Sequence, residues 1–549
     1  MNKPEVHYFN IIKKMKTFDS ITLSILWSRL ISIVDEAGTT LQRTSFSTVT
    51  RESNDFAVVL MDRNGRSLAQ SSISVPSFLG VLPMLTKALL KDYFPHESWQ
   101  AGDVVMTNDP WLCAGHKPDI GIVSPIFYKN HLIGFIGTIA HSPDMGGALW
   151  GASARDLYEE GLMVPPTKLM LGGQPNETLF KLIEANVRAA QQTLGDIRAQ
   201  IAANDQGIRS LQRLLEENGL DHLEDLGEQI ISATERAMRA AIAAAPDGTY
   251  TYTYDADGDG KNEPVRLQAA VTIQGDTIEV DWAGTSGAHS LAINAVINYT
   301  YAYTAYPIKC TFSPEVPNNE GAFRPIKVTA PKGSLLNAQK PSPLGARNIT
   351  GNILHSSVFG ALAKAVPDRV QADCGSACWC IVLNGQHHDG REYVEYFFLN
   401  GGYGARPDRD GEHALSFPTN VANVPVEVLE NSAPVLVTRK SLANGSAGQG
   451  KYRGGLGQIF SFKNISQKPI NISILTEKTK TVAHGMLGGG HGASGKLEII
   501  PHRPLAPKGL DKLHPGEELL LTLPGGGGYG PAEQRATALV EEDKRMGYC

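Results

Sequence analysis

The 549-residue sequence is poor in the features that mark several large classes of protein. Six cysteines are too few for a disulfide scaffold, and no run of about 18 apolar residues is present to cross a bilayer. The N-terminal segment contains lysines but no continuous apolar stretch and no small-residue cleavage site, so no signal peptide is predicted. We therefore expect a cytoplasmic protein without a membrane partner.

Basic blocks and nucleotide-binding motifs are missing as well. The net charge is −6, and the absence of a long basic run excludes nucleic-acid binding as the main role. Gly445, Gly450 and Lys451 imitate a Walker A loop, but Tyr452 stands where serine or threonine is required. No kinase signature or Rossmann fingerprint is found either. The sequence thus predicts no nucleotide site in this chain.

The patterns that are present predict a mixed fold. Residues 21–46 carry a helical apolar stripe, and residues 55–70 predict a hairpin with its turn at residues 63–65. Residues 180–243 have the periodicity of amphipathic helices, and from about residue 245 the period changes to two. We therefore predict an α+β (mixed) fold that is strand-rich, with glycine-rich loops and a helical section around residues 180–243.

Three regions with soft borders follow from this reading. They are an N-terminal mixed region with the metal-binding hairpin described below, a helical section, and a strand-rich C-terminal region, which cover residues 1–178, 179–244 and 245–549. No low-complexity linker separates them. We expect the three regions to form one intertwined catalytic unit.

Glycine is abundant and clustered. Many of the 56 glycines gather at residues 401–404, 454–458, 488–492 and 524–530. Such clusters mark tight turns and close approaches of the backbone. Two interpretations stay open: the loops supply backbone N–H groups to a phosphate, or they are close-packed turns among strands.

The most informative segment, residues 107–147, contains the pattern His-x-Pro-Asp twice. The two copies begin at His116 and His141, and two apolar runs lie between them, separated by Lys129 and Asn130. Asparagine tolerates the left-handed conformation that a tight hairpin turn needs. The segment therefore predicts an antiparallel hairpin that turns at residues 129–130.

This hairpin brings the two copies together. It pairs residue 119 with residue 140 and residue 118 with residue 141, and directly opposed Cβ atoms lie about 4.5–5.5 Å apart. The side chains delivered to one open end are those of His116, Asp119, His141 and Asp144.

Two imidazoles and a carboxylate suit a divalent metal such as zinc, manganese or iron. Three protein ligands leave coordination positions open, which is the catalytic rather than the structural arrangement. The remaining carboxylate, Asp144, has three possible roles: a further ligand, a partner that orients a histidine, or a base for bound water. The alternative is that both copies are capped turns whose aspartates bind backbone N–H groups. Two copies on one hairpin favour the metal.

The sequence around the two copies resembles the hydantoinase B/oxoprolinase family, whose relatives include subunits of acetone and acetophenone carboxylases. The resemblance rests on NDPWLCAGHKPDIGIVSPIF and IAHSPDMGG, and it continues nearly end to end in RESNDFAVVLMDRNGRSLAQ, NNEGAFRPIKVTAPKGSLLNAQKPSPLGARN, LNGGYGARPDRDGE, NVPVEVLE, GKYRGGLGQ and PGGGGYGP. So many motifs in the same order make the likeness specific.

The resemblance implies a set of site residues. The family's metal ligands match His116, Asp119 and His141, and Asp55 in the SNDF motif is a possible further ligand. Residues in other family motifs are expected around the substrate, although each is equally suited to a buried structural hydrogen bond: Arg347, Asn348, Arg406, Asn423, Glu427 and Arg453. Asp144 is assigned a catalytic role outside the ligand set, either orienting His141 or accepting a proton.

The resemblance also implies an activity and a partner. Relatives of this kind work with a hydantoinase A-type subunit, which binds ATP and phosphorylates the carbonyl oxygen of a cyclic amide, in a heterotetramer or larger assembly. An unstrained lactam is a poor electrophile because resonance stabilises the amide, so phosphorylation turns that oxygen into a leaving group. The expected function is ATP-dependent opening of a hydantoin, 5-oxoproline or related lactam. The alternatives are a carboxylase subunit that uses ATP and bicarbonate, and a non-catalytic metal-binding scaffold.

Three cysteines near each other in sequence invite comparison with a zinc site. Cys374, Cys378 and Cys380 do not have the usual Cys-x2-Cys spacing. Buried cysteines in a strand are the favoured interpretation.

Overall fold

A computed structural model describes residues 16–260, 264–376 and 378–548. The first 15 residues, which belong to the segment where no signal peptide is predicted, lie outside the described residues. Within the described ranges, no helix has both the length and the apolar character that crossing a bilayer requires.

The described residues contain both helices and antiparallel or mixed sheets, which confirms the prediction of a mixed α+β fold. The helices in the described ranges are α1 (Ser20–Thr44), α2 (Thr48–Arg51), α3 (Val81–Ala88), α4 (Glu177–Asn186), α5 (Ala190–Glu217), α6 (Glu224–Ala243), α7 (Ile297–Phe312), α8 (Glu320–Phe323), α9 (Arg347–Gly351), α10 (Leu354–Leu362), α11 (Val426–Ser432) and α12 (Thr537–Met546). The strands are β1 (Phe56–Asp62), β2 (Ser67–Gln70), β3 (Val104–Thr107), β4 (Asp119–Tyr128), β5 (His131–His141), β6 (Thr167–Leu171), β7 (Gln174–Pro175), β8 (Gly248–Ala256), β9 (Val265–Gln274), β10 (Thr277–Asp281), β11 (Ile326–Thr329), β12 (Trp379–Gln386), β13 (Glu392–Leu399), β14 (Val435–Leu442), β15 (Gln458–Asn464), β16 (Ile470–Leu475), β17 (Lys496–Ile500), β18 (Lys508–Leu513) and β19 (Glu518–Thr522).

The first sheet, with strand order β2-β1-β5-β4-β3-β6-β7, is covered on both faces. Along β1, Phe56, Val58 and Leu60 belong to a core shared with α1, α5 and α6, whereas the alternate residues belong to the core on the opposite face. Successive side chains of a strand point to opposite faces, so a strand buried on both sides must be apolar at every position. The run FAVVLM in β1 meets this requirement.

The hairpin β4–β5 forms as predicted at its turn but has a different register at its far end. Lys129 and Asn130 both have positive φ, and Tyr128 pairs with His131. The register shifts between Ile126 and Phe127, where β5 carries the extra residue Ile133. The predicted pairing of residue 119 with 140 is therefore wrong by one. Because a shift of one residue exchanges the faces of a strand, this bulge sets Asp119 directly opposite His141, on the same face.

The other three sheets have four strands each, in the orders β11-β10-β9-β8, β13-β12-β16-β18 and β14-β15-β19-β17. The last two share one apolar core, in which Trp379 and Phe397 of one sheet meet Phe462 and Leu521 of the other. They form a β-sandwich, and its strands β12 and β13 contribute residues to the candidate site described below.

Four glycine-rich segments pack backbone against backbone beside this sandwich. We call them the glycine bundle and define it as residues 401–404, 448–457, 485–492 and 525–530. The N–H groups of Gly448, Gly526 and Gly528 donate to carbonyl groups of other segments of the bundle, each at 2.9 Å. A Cβ on Gly402 would lie 1.8 Å from the Gly455 carbonyl oxygen. These N–H groups already donate to backbone carbonyl oxygens, so they are not free to bind a phosphate. For them, the interpretation as close-packed turns holds.

Candidate metal centre

Three residues from the two predicted quartets meet at one end of the first sheet. Asp119 is the first residue of β4, His141 is the last residue of β5, and His116 lies in the turn that leads into β4. All three side chains are buried, and one potential ligand atom from each lies within 4.8 Å of the others. Sequence reasoning predicted this group, and the bulge in β5 explains why Asp119 and His141 face each other.

The protonation of His116 is set by its neighbour. Its Nδ1 lies 2.9 Å from the Gly345 carbonyl oxygen. A carbonyl only accepts, so Nδ1 carries the proton and Nε2 has its lone pair free. This Nε2 is buried, lies 2.9 Å from Asp119 Oδ1, and makes no hydrogen bond within the described ranges. A bare nitrogen facing a carboxylate oxygen is the arrangement that a cation between them would satisfy.

His141 offers a second bare nitrogen. Its Nδ1 hydrogen-bonds Asp119 Oδ1 at 3.1 Å, while its Nε2 is buried and has no hydrogen-bond partner among the described residues. Its backbone N–H donates to the Asp55 carbonyl oxygen at 3.1 Å, which ties the end of β5 to the start of β1.

Arg347 controls the electrostatics of this cluster. It donates to Asp119 Oδ2 and to the Ala114 carbonyl oxygen, and its guanidinium lies 4.0 Å from the centre of the Tyr299 ring. Burial acts to raise the pKa of Asp119, but Arg347 and His116 outweigh it and hold that pKa well below its usual range. Burial and Arg347 together lower the pKa of His116 to about 4. Both side chains are therefore in ligand form at neutral pH: the aspartate ionised, the imidazole neutral.

Asp55, predicted as a further ligand, lines the same cavity but lies outside the three-residue group. Desolvation raises its pKa to about 6, against the opposing effect of His141. Its place beside His141 follows from the pairing of β1 with β5.

His116 and His141 border a small cavity of about 40 Å³, called here the metal cavity. Its wall contains side chains that sequence reasoning missed: Val75, Ser77, Trp150, Tyr299, Tyr303, Asn352, Phe398, Thr419 and Val421, together with Cys378 and Cys380. One signal was available, because Tyr299 and Tyr303 are four residues apart in INYTYAYTAY and so share a face of α7. Cys374, Cys378 and Cys380 are buried, as predicted, but only Cys380 lies in a strand, because β12 begins at Trp379. The sulfurs of Cys378 and Cys380 are 3.4 Å apart.

Asp144 is close to the group but faces another small cavity. Its carboxylate accepts from the backbone N–H and the guanidinium of Arg188, both at 2.5 Å. Trp150 lines both that second cavity and the metal cavity. The structure thus gives Asp144 an ion-pair partner that the sequence did not indicate.

The residues predicted around the substrate divide into three groups. Arg347 and Asn348 line the metal cavity. Arg406 lines a separate, larger cavity, and Asn423 lies on an irregular segment close to Val421. Glu427 is exposed in the first turn of α11, and the buried Arg453 pairs with Asp543 at 3.1 Å. The structure therefore brings together two of the predicted residues and disperses the others.

The family model described as hydantoinase B/oxoprolinase matches residues 19–532. The chain belongs to the hydantoinase B/oxoprolinase family. The B-type subunit of a putative D-/L-hydantoinase from Pseudomonas sp. (strain NS671) is 32% identical, over 97% of this chain and 94% of that protein.

Two solved structures share the fold of this hydantoinase B family member. The crystal structure of an ATP-dependent caprolactamase from Pseudomonas jessenii matches with a TM-score of 0.88 and 28% identity, over 97% of this chain and 95% of the other. A nucleotide-free acetone carboxylase structure matches with a TM-score of 0.86 over 96% of this chain and 78% of the other. Its identity is 19%, so that likeness concerns the fold alone.

One buried carboxylate fixes the carbonyl on which His116 depends in this hydantoinase B family member. Glu160 Oε1 accepts from the N–H groups of Leu344 at 2.5 Å and Gly345 at 2.7 Å. The Gly345 carbonyl in turn accepts from His116 Nδ1 and, at 2.5 Å, from Trp150 Nε1. Glu160 lies 184 positions before Leu344, so no local motif shows this link.

Proposed function

We propose that the chain is the metal-dependent catalytic subunit of an ATP-dependent cyclic-amide hydrolase. It would open a hydantoin, 5-oxoproline or a related lactam together with a hydantoinase A-type ATP-binding subunit, in a heterotetramer or larger assembly. The observation that carries the proposal is the buried cluster of His116, Asp119 and His141, in which two imidazole nitrogens lack hydrogen-bond partners among the described residues. Family membership supplies the reaction class.

The donor set fits a divalent metal. Two imidazole nitrogens and one carboxylate oxygen suit manganese, zinc or iron, with Asp55 as a possible further ligand. Bound there, such an ion would supply Lewis-acid activation of the reacting carbon–oxygen group. The chain's own residues prepare the site: Gly345 fixes the ring of His116, and Arg347 holds the second oxygen of Asp119.

The opposite side of the cavity suits the amide of the substrate. Asn348 and Asn352 each have a buried Oδ1 without a hydrogen-bond partner among the described residues. Asn348 uses its Nδ2 to donate to Cys380 Sγ at 3.5 Å, which leaves Oδ1 to accept a hydrogen bond from a lactam N–H. Tyr303 and Phe398 add apolar wall that excludes water from the ring. The two asparagine oxygens therefore orient the ring, while the histidine side faces its carbonyl carbon.

Reconstitution tests the function. The purified chain is mixed with the hydantoinase A-type subunit, a divalent metal, ATP and one of hydantoin, 5-oxoproline or caprolactam, and ring opening is followed together with ADP release. We expect turnover only when both subunits and ATP are present, and calorimetry should show no ATP binding to this chain alone. Ring opening by the single chain, or failure of every lactam with the complete mixture, would contradict the proposal. A ketone with bicarbonate in the same mixture tests the carboxylase alternative.

Asp144→Asn separates a proton-accepting role from a structural one. Loss of a general base costs about 10²–10⁴-fold in rate, so we expect this variant to keep its metal and fold but to turn over slowly. The matched control is Arg188→Gln, which removes the ion-pair partner and leaves the carboxylate. Steady-state rates and metal content of both variants are measured together. Equal losses in the two variants would show that the ion pair, and not proton transfer, is what the reaction needs.

A further inference from the structure

Two thiols in the wall of the metal cavity have no chemical role in the proposed function. Cys378 and Cys380 both line this cavity, both are buried, and their sulfur atoms are 3.4 Å apart. Cys380 lies in β12, and Cys378 comes directly before the first residue of that strand. Residues two apart in an extended chain point to the same face, and the two sulfurs accordingly reach the same cavity.

The distance between the two sulfurs suits a cation that prefers sulfur. Thiolate sulfur binds zinc at about 2.3 Å in a tetrahedral arrangement, which places two such sulfurs about 3.8 Å apart. The sulfurs of Cys378 and Cys380 are 3.4 Å apart, so a slight rotation of the side chains brings them to that separation. Thiolate ligands select zinc and softer cations over magnesium or calcium. The pair is therefore a two-toothed ligand for a thiophilic cation.

The surroundings of the pair contain groups that favour a bound cation. Asp55 lines the same cavity, and its negative charge acts to raise the pKa of Cys378. The same charge stabilises a cation held by the sulfurs. Asn348 Nδ2 donates to Cys380 Sγ at 3.5 Å, and a donated N–H favours the negatively charged form of the sulfur.

Burial works in the opposite direction. It holds the pKa of the Cys378 thiol well above its usual range, so the proton leaves only when a cation takes its place. Binding therefore releases protons and becomes tighter as the pH rises.

The protein supplies two ligands at this place, and not a complete set. Among the described residues, His116, Asp119 and His141 are the group in which three ligand atoms lie within 4.8 Å of one another, and neither cysteine belongs to it. The other coordination positions of an ion on the sulfurs would face the cavity, where about 40 Å³ has room for water. Structural zinc sites have four protein ligands, so an ion held by two is exchangeable.

We propose that Cys378 and Cys380 form a second, exchangeable metal site in the metal cavity, which binds zinc or another thiophilic cation such as cadmium. Two sulfur–metal bonds form, two S–H bonds break, and the two protons pass to solvent, so no oxidant or reductant is needed. An ion on the sulfurs occupies space beside Asn348, and excess zinc should therefore inhibit ring opening. This inhibition rests on the proposed function; the binding of the cation does not.

Cadmium reports on this site because thiolate–cadmium bonds give an ultraviolet charge-transfer band that imidazole and carboxylate ligands do not give. The freshly reduced chain is titrated with cadmium chloride, without ATP, lactam or a partner subunit. We expect the band to saturate in the unaltered chain and in His116→Ala, which lacks a ligand of the first site. In Cys378→Ser and Cys380→Ser the band should be lost or binding weakened at least about 10-fold, the effect of losing a group that supports a metal.

Cys374→Ser is the matched control. Cys374 is buried four residues before Cys378 but does not line the metal cavity, and its sulfur accepts from the Gly404 N–H, which a hydroxyl oxygen also accepts. Its titration should match that of the unaltered chain. Equal bands in all three serine variants would overturn the proposal, because the sulfur ligands would then lie elsewhere. Loss of the band in His116→Ala would also overturn it, because the histidine and the thiols would then hold one ion together.

A measurement on the unaltered chain does not depend on the folding of any variant. X-ray absorption at the cadmium edge, with cadmium in excess over the chain and unbound ion removed, should show sulfur among the neighbours of the metal. Nitrogen and oxygen neighbours alone would contradict the proposal. Failure of ring opening by the reconstituted enzyme would contradict the proposed function and leave both cadmium measurements unchanged, so the two failures are distinguishable.

Discussion

His116→Ala and His141→Ala variants are expected to lose their metal and, with it, lactam turnover by the reconstituted enzyme. Replacing a group that merely orients a ligand costs about 10–100-fold in metal affinity, so removing a ligand should cost more than about 100-fold. Elemental analysis after dialysis should find near-stoichiometric metal in the unaltered chain and almost none in either variant. His131→Ala is the matched control, because His131 is exposed at the other end of the same strand.

The fold should survive these substitutions. Asp119 keeps Arg347 as a charged partner when either imidazole is removed, so no buried carboxylate is left unpaired. Thermal unfolding in excess chelator, which removes the contribution of bound metal to stability, should therefore give similar midpoints for the variants and the parent. Metal retained in both histidine variants would contradict the assignment of the site.

Gly402→Ala is expected to prevent stable folding, with a loss of about 3 kcal/mol or more in the free energy of unfolding. The added methyl would sit 1.8 Å from the Gly455 carbonyl oxygen, which is fixed by accepting the N–H of Gly526. The backbone of Gly402 is itself held by its bond to the Pro524 carbonyl oxygen at 2.9 Å. Neither side can yield without breaking a hydrogen bond of the glycine bundle.

The matched substitution for this prediction is Gly287→Ala. Gly287 is exposed, and a Cβ built on it meets no atom within 4 Å. Soluble yield and the midpoint of urea unfolding should match the parent for Gly287→Ala and fall sharply for Gly402→Ala. Equal midpoints for the two variants would mean that the bundle adjusts to a side chain, against the geometry described.

The sequence predicted that His116, Asp119 and His141 meet, because these residues are joined by a local hairpin. The turn at Lys129 and Asn130 was recognisable from residue type, and it determines which strand ends meet. The exact register was not recognisable, because Ile133 looks like any other apolar residue of a buried strand. Ile133 is the extra residue of a bulge in β5. An alternating pattern of apolar residues does not show where a bulge occurs.

The residues that contact His116 and Asp119 were harder to predict, because they come from distant parts of the chain. Gly345 bonds His116 across 229 residues, and Arg347 bonds Asp119 across 228 residues. Glu160 acts through Leu344, which is 184 residues away from it. Arg347 was found only through a family motif, and the same reasoning also selected Glu427, which lies exposed on α11. A motif identifies residues that a family keeps in sequence order, but it does not tell which of them share a cavity.

The glycine bundle limits the order in which parts of the chain can fold during synthesis. Its four segments begin at residue 401 and end at residue 530, and the N–H groups of Gly402 and Gly448 donate to the carbonyl oxygens of Pro524 and Gly526. Residues 524 and 526 are synthesised late, long after the hairpin β4–β5. Until then, the N–H groups of Gly402 and Gly448 lack the carbonyl groups to which they donate in the folded protein. A polypeptide released before residue 524 would carry His116, Asp119 and His141 and still lack the segment that completes the glycine bundle.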